Sequence, residues 1–393
     1  ASWFNPAGLS LSEKSQLSAS ANAYEFTGFA LEGVEFTRGG TRFSSIGSYF
    51  GGVLGAPIVK SQNLRLGFSF TKPVSWAPSR IEGAIESPES NESFLYSAYV
   101  SFSTFIPALN AGLRLTDRLR VGAGLGYAYT SLYQNQSLSD RLLTATGATT
   151  GFRTIETDGN VGNLLVTGSA QFDVGERVRL GAIVTAPGVR VAGSSRVTYQ
   201  NSVFRGAESR DIAFRDDEMT FDYKPPLLAG VGAAARFGRA EVEVDVRYHG
   251  ARDAYVLFSS EVPATLVTTD AAGTPTEGTL AFADIVEETK AVTNVSVGGH
   301  YGFSPSFRVH AGFFTDNSPV ERPETSIFRA VDLTGFSTGV SFGAGKLTAS
   351  AGVSGSTGTS AGREVGPTLG GREGVTKVKV RTINLLYAVS YAF

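Results

Sequence analysis

The most constraining feature of this chain is an alternation of apolar side chains with polar or small ones at a period of two. The alternation is clearest in three runs, Leu64–Phe70, Leu119–Tyr129 and Glu241–His249. A period of two places successive side chains on opposite faces of a β-strand. The pattern therefore predicts strands that are apolar on one face and polar on the other.

Composition narrows the class of β-protein. The 393 residues include 47 glycines, 27 phenylalanines, one methionine and no cysteine, which suits strands and tight turns. No stretch of about 18 or more apolar residues occurs, so no transmembrane helix is predicted. A net charge of -2 argues against a nucleic-acid partner. The lack of cysteine excludes disulfides and thiolate metal sites.

Short and long connections alternate between the predicted strands. Very short connections rich in Gly, Asp and Pro lie at 116–118, 174–176, 237–239, 303–305 and 343–345. Long polar segments, predicted as loops, run over roughly 75–93, 139–160, 201–224, 260–289, 316–332 and 358–374. Short turns on one rim and long loops on the other are typical of outer-membrane barrels. The sequence predicts an all-β fold, a transmembrane antiparallel β-barrel of about 14 strands in a bacterial outer membrane.

The end of the chain follows the same pattern. Tyr387, Val389, Tyr391 and Phe393 are apolar at every second position, and the last residue is aromatic. Aromatic residues at the membrane boundary form the interfacial girdle of barrels. A terminal strand of a β-sandwich would show the same alternation, but sandwiches rarely extend over so long a chain.

Three short motifs occur in the order and spacing of a known family. They are Asn5-Pro6-Ala7, Asp316-Asn317-Ser318-Pro319-Val320 and the ending Tyr391-Ala392-Phe393. In these motifs the chain resembles the FadL family of outer-membrane long-chain fatty acid transporters, whose Asn-Pro-Ala element lies in the segment that plugs the barrel. The order of strands, turns and loops agrees over essentially the whole chain.

The resemblance implies an N-terminal plug inside the lumen, of which residues 1–13 are part, and a barrel over residues 14–393. The plug motif would be Asn5, Pro6 and Ala7. It also implies passive transport through a lumenal pocket for an amphipathic ligand, with no cofactor. The family has a longer arm before this motif that reaches towards the pocket; only a few residues precede Asn5 here, so either the sequence begins after the arm or the protein lacks it. Gating that depends on the arm is therefore in doubt.

The alternation also orients the charged residues of three neighbouring strands. If residues such as Val242 and Val244 face lipid, the polar residues between them face the lumen. The inward set is Glu243, Asp245, Arg247, His249, His300, Arg308 and His310. Histidines with carboxylates can bind zinc or act as acid and base, but charges in a barrel interior need partners in any case. We expect a lumenal salt-bridge network, with no metal site and no catalytic residue.

A fatty acid needs apolar walls for its chain and a cation for its carboxylate. By the resemblance, Lys290 aligns with a family lysine that looks like a head-group contact. Arg141 is a weaker second candidate at the outer end of its strand. Leu142, Leu143 and Phe152, in a predicted long outer loop, are candidates for a first landing patch. The alternatives are an ordinary rim lysine at Lys290 and simple loop packing elsewhere.

Pro73 lies in the third predicted strand. Proline cannot donate to a strand ladder, so the pairing must break or bulge there. In the family a kink in the third strand opens a side door through the wall, which makes Pro73 the candidate for a lateral opening. The alternative is a strand that ends at the rim near Pro73.

Taken together, these features predict a passive outer-membrane transporter for long-chain fatty acids or similar hydrophobic molecules. Its partners would be membrane lipid, lipopolysaccharide and the hydrophobic ligand; protein partners are not assigned. One alternative is a channel for aromatic hydrocarbons, for which Lys290 would be unnecessary. Others are a structural barrel with partner-binding loops and a barrel enzyme with a serine or metal site near the histidines. We expect no enzymatic activity.

Overall fold

The structure is a computed structural model that describes residues 5–31, 36–38, 41–42, 47–87, 91–145, 147–321, 326, 328, 330–360 and 378–393. Within these residues the chain forms a closed barrel of fourteen antiparallel strands, as predicted. The first strand, β1 (Gln16–Leu31), pairs with the last, β22 (Val378–Ala392), so the sheet closes on itself. No helix in the described part of the chain is long and apolar enough to cross a membrane.

Every barrel strand is hydrogen-bonded to the strands on either side of it. The remaining strands, in chain order, are β2 (Phe36–Arg38), β3 (Thr41–Arg42), β4 (Gly47–Leu54), β5 (Leu64–Ser87), β6 (Glu92–Arg114), β7 (Leu119–Thr144), β8 (Gly147–Val174), β9 (Val178–Thr185), β10 (Val189–Arg205), β11 (Glu208–Phe221), β12 (Leu228–Phe237), β13 (Ala240–His249), β14 (Arg252–Ser259), β15 (Ala264–Thr269), β16 (Pro275–Leu280), β17 (Ile285–Thr289), β18 (Val292–Ser304), β19 (Phe307–Asp316), β20 (Val331–Ala344) and β21 (Leu347–Ser360). Two short helices accompany them, the 3-10 helix η1 (Pro6–Leu11) and α1 (Ala56–Val59).

Two neighbouring barrel strands are each interrupted once. β9 and β10 both pair with β8 and form the seventh barrel strand. β12 pairs with β9, and β11 pairs with β10, so these two segments form the eighth. Pro187 lies in the first interruption, and Pro225 and Pro226 lie in the second. Proline has no N–H to donate to a ladder, which favours a break at these positions.

Large apolar side chains point out of the barrel at alternate positions. Along β9 exposed and half-buried residues alternate without exception. On β18, Val297, Tyr301 and Phe303 point outward and are 40%, 46% and 57% exposed. Exposure of apolar surface to water costs roughly 25 cal/mol per Å², so these many outward apolar side chains, here named the apolar belt, favour contact with an apolar environment. The predicted alternation of outward apolar and inward polar residues is confirmed.

Three of the segments predicted as long loops are largely strand. The segments 75–93, 139–160 and 201–224 fall mostly within β5 to β8 and β10 to β11. Exposed ion pairs lie along these strands, where Arg196 pairs with Asp158 and Arg215 pairs with Asp217. The loop prediction was wrong because polarity reports contact with water, which a strand above the membrane also has.

The connection between β13 and β18 folds into a small β-structure, here named the outer cap (residues 250–291). β15 pairs with β16 and with the end of β11 farthest from the membrane. β14 pairs with β17 and with the other end of β11. Leu257 and Phe258 of β14 are 0% and 1% exposed because they pack against the inner face of the wall. The segment 260–289, expected as a polar loop, contains most of this cap.

The helix η1 lies inside the barrel, at the end where the short turns lie, here named the turn end. The side-chain oxygen of Asn5 accepts from the Ala7 N–H at 3.1 Å and caps the helix. The Asn5 amide also donates to the Ala170 carbonyl of β8 at 3.3 Å. Pro6 occupies the first helical position, where no N–H is needed. The predicted plug motif therefore forms a capped turn bonded to the wall.

Inward-facing glycines make room for this helix. A Cβ built on Gly112 would lie 2.6 Å from the Pro6 carbonyl oxygen, and one on Gly122 would overlap the Ala7 backbone nitrogen. The backbones of wall and helix can approach this closely only because glycine has no side chain. The motif is thus seated on the inner wall, and its action as a plug stays a prediction.

Gly122→Val is expected to displace η1 from the wall. The new side chain would overlap the helix backbone, and overpacking of this kind costs roughly 1–3 kcal/mol. Ser10, in η1, is 1% exposed, and the natural chain has no cysteine. A maleimide should therefore label the Ser10→Cys variant slowly and label the Ser10→Cys, Gly122→Val variant quickly.

The matched control is Gly168→Val on β8, because a Cβ at Gly168 would meet no atom within 4 Å. Ser10→Cys should stay protected in that background. Equal labelling rates in the two valine backgrounds would show that the glycine cradle does not hold the helix.

Candidate ligand site

The part of the lumen farthest from the turn end is filled with apolar side chains. Inward-facing residues of β6, β7, β8, β10 and β11 meet residues of the outer cap there. The buried members, here named the apolar cluster, are Phe102, Leu132, Val161, Val197, Phe214, Met219, Phe221, Leu257, Phe258 and Ala264. Within a polar lumen, such a cluster is the environment in which an apolar ligand would be separated from water.

Aromatic rings dominate this cluster and its surroundings. Phe221 of the wall stacks on Phe258 of the cap, with ring centres 4.7 Å apart. Phe102 meets Tyr223 and Phe328 edge-on, at 5.3 and 5.1 Å. Stacked and edge-to-face pairs are the favourable geometries of aromatic rings. The same faces and edges can receive a ligand ring or an acyl chain.

A buried carboxylate borders the cluster on the cap side. Glu287 of β17 lies directly opposite Tyr255 of β14 and is 1% exposed. Both carboxylate oxygens accept from the Ser326 hydroxyl, at 2.8 and 2.9 Å. Burial raises the pKa of Tyr255, and the nearby Tyr223 and Glu287 raise it further, so this phenol stays protonated and can donate.

A guanidinium group lies on the same border. Arg252 of β14 donates from Nη2 to the Pro225 carbonyl. Its Nε is buried and, among the described residues, has no hydrogen-bond partner. Buried donors normally find an acceptor, so this N–H is the best-placed donor for an anionic head group. Nothing in the sequence pattern singled out Arg252, because its position depends on the folding of the cap.

Lys290, the predicted head-group contact, lies where the outer cap rejoins the barrel between β17 and β18. Its backbone N–H donates to the Pro319 carbonyl at 2.8 Å. Its side chain is exposed, and it does not belong to the residues packed on the apolar cluster. A role for Lys290 in head-group binding stays a prediction.

The other predicted ligand residues lie near the tip of the β7–β8 hairpin. Arg141 lies near the end of β7, as expected, whereas Leu142 and Leu143 in β7 and Phe152 in β8 lie in strands and not in the predicted loop. Leu143 and Phe152 are 45% and 43% exposed and point away from the lumen. The structure thus places these four residues on different elements from Lys290, and their role as a landing patch stays a prediction.

Pro73 lies inside β5, which continues to Ser87. The β5–β6 ladder shifts register between Thr71 and Val74, so the predicted bulge at the proline is confirmed and the alternative of a strand ending there is wrong. On its other side β5 pairs with β4 only as far as Thr71. The next partner that the structure describes on that side is β2, and the ladder between β2 and β5 begins at Glu82 of β5.

The three histidines face the lumen but do not converge. His300 and His310 are cross-strand neighbours with ring centres 5.7 Å apart, and His310 Nε2 lies 2.7 Å from Ser341 Oγ. His249 lies at the opposite end of β13, opposite Val292. The β13–β18 register separates His249 from His300 along the barrel axis.

The remaining members of the predicted polar network lie along the same inner face. Glu243, Asp245 and Arg247 follow one another on β13, and Arg308 precedes His310 on β19. In the part of the chain that the structure describes, no group of three or more His, Asp or Glu residues is placed to hold a metal ion. A single network through these residues stays a prediction.

An ion triad that the sequence did not reveal lies at the turn end. The Asp173 carboxylate of β8 lies 2.7 Å from Arg120 Nη1 in an ion pair and accepts a hydrogen bond from Arg179 Nε at 2.9 Å. The Arg120 side chain is only 6% exposed, so it depends on Asp173 for its counter-charge. The turn end of the lumen is therefore charged where the outer part is apolar.

The apolar cluster itself was missed by sequence reasoning. Phe214, Met219 and Phe221 lie in a segment predicted as a polar loop, and Leu257 and Phe258 lie just before another. The sequence did contain a signal for it, because several bulky apolar residues are unusual in a solvated loop. It did not identify their partners, which come from distant strands.

Asp173→Asn is expected to destabilise the barrel by roughly 3–5 kcal/mol, because it leaves Arg120 buried without a counter-charge. The measurement is the temperature at which the purified protein loses its heat-modifiable migration in SDS gels. Asp217→Asn is the matched control, since the Arg215–Asp217 pair is exposed and contributes little. Equal shifts for the two variants would contradict the buried ion triad.

The comparisons with known proteins rest on structure. No protein-family model and no curated protein matches the chain. A Pseudomonas aeruginosa FadL homologue shares 14% identity at a TM-score of 0.62, covering 100% of this chain and 94% of that one. The P. putida toluene transporter TodX shares 15% at 0.62, covering 99% and 93%. The Ralstonia pickettii toluene transporter TbuX shares 14% at 0.56, covering 99% and 92%. These likenesses show that the chain has the fold of the FadL-type barrels.

Proposed function

We propose that this protein is a passive transporter for hydrophobic small molecules in a bacterial outer membrane. The observation that carries the proposal is the apolar cluster, which lies inside a lumen that is charged at its turn end. The apolar belt supports a membrane position. Barrels of the same fold include a FadL homologue and two proteins described as toluene transporters.

Burial of apolar surface supplies the affinity for such a ligand. Each Å² removed from water stabilises the bound state by roughly 25 cal/mol, so a ligand would collect in the apolar cluster. The charged turn end, with Arg120, Asp173 and Arg179, offers no comparable environment. A hydrophobic ligand would therefore concentrate in the outer part of the lumen and move onward down its concentration gradient.

For the ligand itself we favour an amphipathic carboxylate such as a long-chain fatty acid. The apolar cluster would hold the acyl chain, while the buried Arg252 Nε and the Tyr255 hydroxyl offer donors for the carboxylate. Lys290 remains a candidate for the first capture of the head group because its side chain is exposed. The exposed Lys290 and the buried Arg252 suit capture of the head group at the surface, followed by its transfer inward.

Aromatic hydrocarbons are the second candidate. The stacked pair Phe221–Phe258 and the stacked pair Phe214–Phe282 present ring faces and edges to the interior. Two of the barrels with this fold are described as toluene transporters. A hydrocarbon has no carboxylate, so its binding would not depend on Lys290 or Arg252.

Passage through the wall beside Pro73 is part of this proposal. The register shift at the proline and the end of β4 pairing at Thr71 support a weak point in the third strand. A ligand in the outer part of the lumen could leave there towards the membrane without crossing the charged turn end.

Protein purified in a short-chain detergent and incubated with palmitate should retain it in stoichiometric amount, as measured by mass spectrometry of organic extracts. Arg252→Gln and Lys290→Ala should each weaken retention. Loss of one charge-assisted hydrogen bond costs roughly 1.5–3 kcal/mol, on the order of tenfold to a hundredfold in affinity. Lys346→Ala, in the β20–β21 turn at the turn end, is the matched control and should bind normally.

Each outcome selects among the candidates. Retention that falls only in Arg252→Gln discards Lys290 as the head-group contact and keeps the fatty acid. If all variants retain toluene when they are incubated with it, and none binds palmitate, the result supports the hydrocarbon channel. A barrel that binds neither would overturn the transport proposal in favour of a structural barrel.

A further inference from the structure

The barrel wall has a second weak point, between its seventh and eighth strands. The β9–β12 ladder ends at Thr185 and Leu228. The β10–β11 ladder begins only at Ser195 and Met219. Between these two ladders the strands run side by side without pairing, and all the residues concerned are described.

The unpaired stretch, here named the seam, consists of residues 186–194 and 220–227. One backbone hydrogen bond crosses it, from the Gly188 N–H to the Pro225 carbonyl at 3.2 Å. Pro187, Pro225 and Pro226 have no N–H, so the seam cannot close into a full ladder. Backbone hydrogen bonds therefore hold this part of the wall more weakly than any continuous ladder beside it.

The end of β11 that borders the seam is bonded to the outer cap. Thr220 and Phe221 pair with β14 of the outer cap. The Asp222 N–H donates to the Leu257 carbonyl of the cap at 2.9 Å. These backbone groups are thus bonded to the cap, and one backbone hydrogen bond together with side-chain contacts joins the two sides of the seam.

An apolar surface lies on each side of the seam. Outside, Val189 and Val191 are 65% and 52% exposed, and both precede the polar outer face that begins near Arg196. Inside, a Cβ built on Gly193 would lie 2.6 Å from the Phe221 carbonyl and 3.0 Å from the Val161 side chain. One layer of chain therefore separates the apolar belt from the apolar cluster.

One ion pair, Arg190–Asp222, bridges the seam where its ladder is missing, and Lys224 pairs with Asp222 on the same side. Arg190 Nε lies 3.6 Å from one carboxylate oxygen of Asp222, and Lys224 Nζ lies 3.4 Å from the other. Behind them the fully buried Asn163 donates to the Tyr223 carbonyl at 3.1 Å, and its own oxygen has no hydrogen-bond partner. Partly exposed ion pairs are weak and can separate without unfolding the strands.

We infer that the seam is a lateral portal, latched by Arg190 and Asp222, through which a hydrophobic molecule passes between the apolar cluster and the outer leaflet of the membrane. The inference rests on the proposed transport function and adds a route distinct from the one at Pro73. Separation of the ion pair opens the seam, and the continuous ladders on either side limit the opening.

The test locks the seam with a reversible cross-link. Since the chain has no cysteine, the variant Arg190→Cys, Asp222→Cys can be bridged by a bifunctional methanethiosulfonate and released by a reductant. The control variant, Val184→Cys, Ala229→Cys, places the same bridge across a paired position of the neighbouring β9–β12 ladder. The probes are radiolabelled palmitate and toluene, taken up by intact cells that express each variant.

The inference expects the seam cross-link to lower uptake, with the remainder passing beside Pro73, reductant to restore it, and the control cross-link to leave it unchanged. Undiminished uptake through a locked seam overturns the portal while leaving transport intact. No uptake by the unmodified protein overturns transport and the portal together.

A second pair of variants covers the case in which the double-cysteine protein fails to assemble. Arg190→Asp alone places like charges across the seam and should speed uptake of both probes. Arg190→Asp combined with Asp222→Arg restores opposite charges and should return uptake to the wild-type rate. Equal uptake by the single and the exchanged variant overturns the latch.

Discussion

Closure of the sheet through the β1–β22 ladder is the interaction on which the rest of the structure depends. A bilayer interior offers no water to bond backbone N–H and C=O groups, so each strand in it must be paired on both edges. Closure fixes which face of every strand meets lipid and which meets the lumen. It also makes any interruption of a ladder costly, which gives the register shift at Pro73 and the unpaired seam their significance.

The outer cap gives the lumen its two different parts. By pairing with β11 it carries Leu257 and Phe258 onto inward-facing residues such as Phe221, and a water-excluding cluster forms. At the turn end the lumen holds η1, and the wall there is lined by Arg120, Asp173 and the glycines that receive this helix. The same pairing involves the end of β11 that borders the seam, so the cluster and the seam lie next to each other.

Much of the fold follows from the chain's local pattern. The apolar alternation in Leu119–Tyr129 and Glu241–His249 predicted strands and their faces, and the short Gly-rich and Asp-rich connections predicted the turn end. The loop prediction failed at 139–160 and 201–224 because polar residues on extended strands and on loops look alike when only polarity is read. The bulge at Pro73 was predictable, since the missing N–H is a property of the residue itself.

The sequence by itself determined which residues alternate, which face inward and where proline interrupts a ladder, because these are properties of neighbouring residues along one strand. Only the tertiary structure decided which inward residues meet. The β13–β18 register separates His249 from His300, and the fold of the cap brings Arg252 and Glu287 to the apolar cluster. Such contacts depend on register, closure and the path of a long connection. A period of two within one strand carries no information about them.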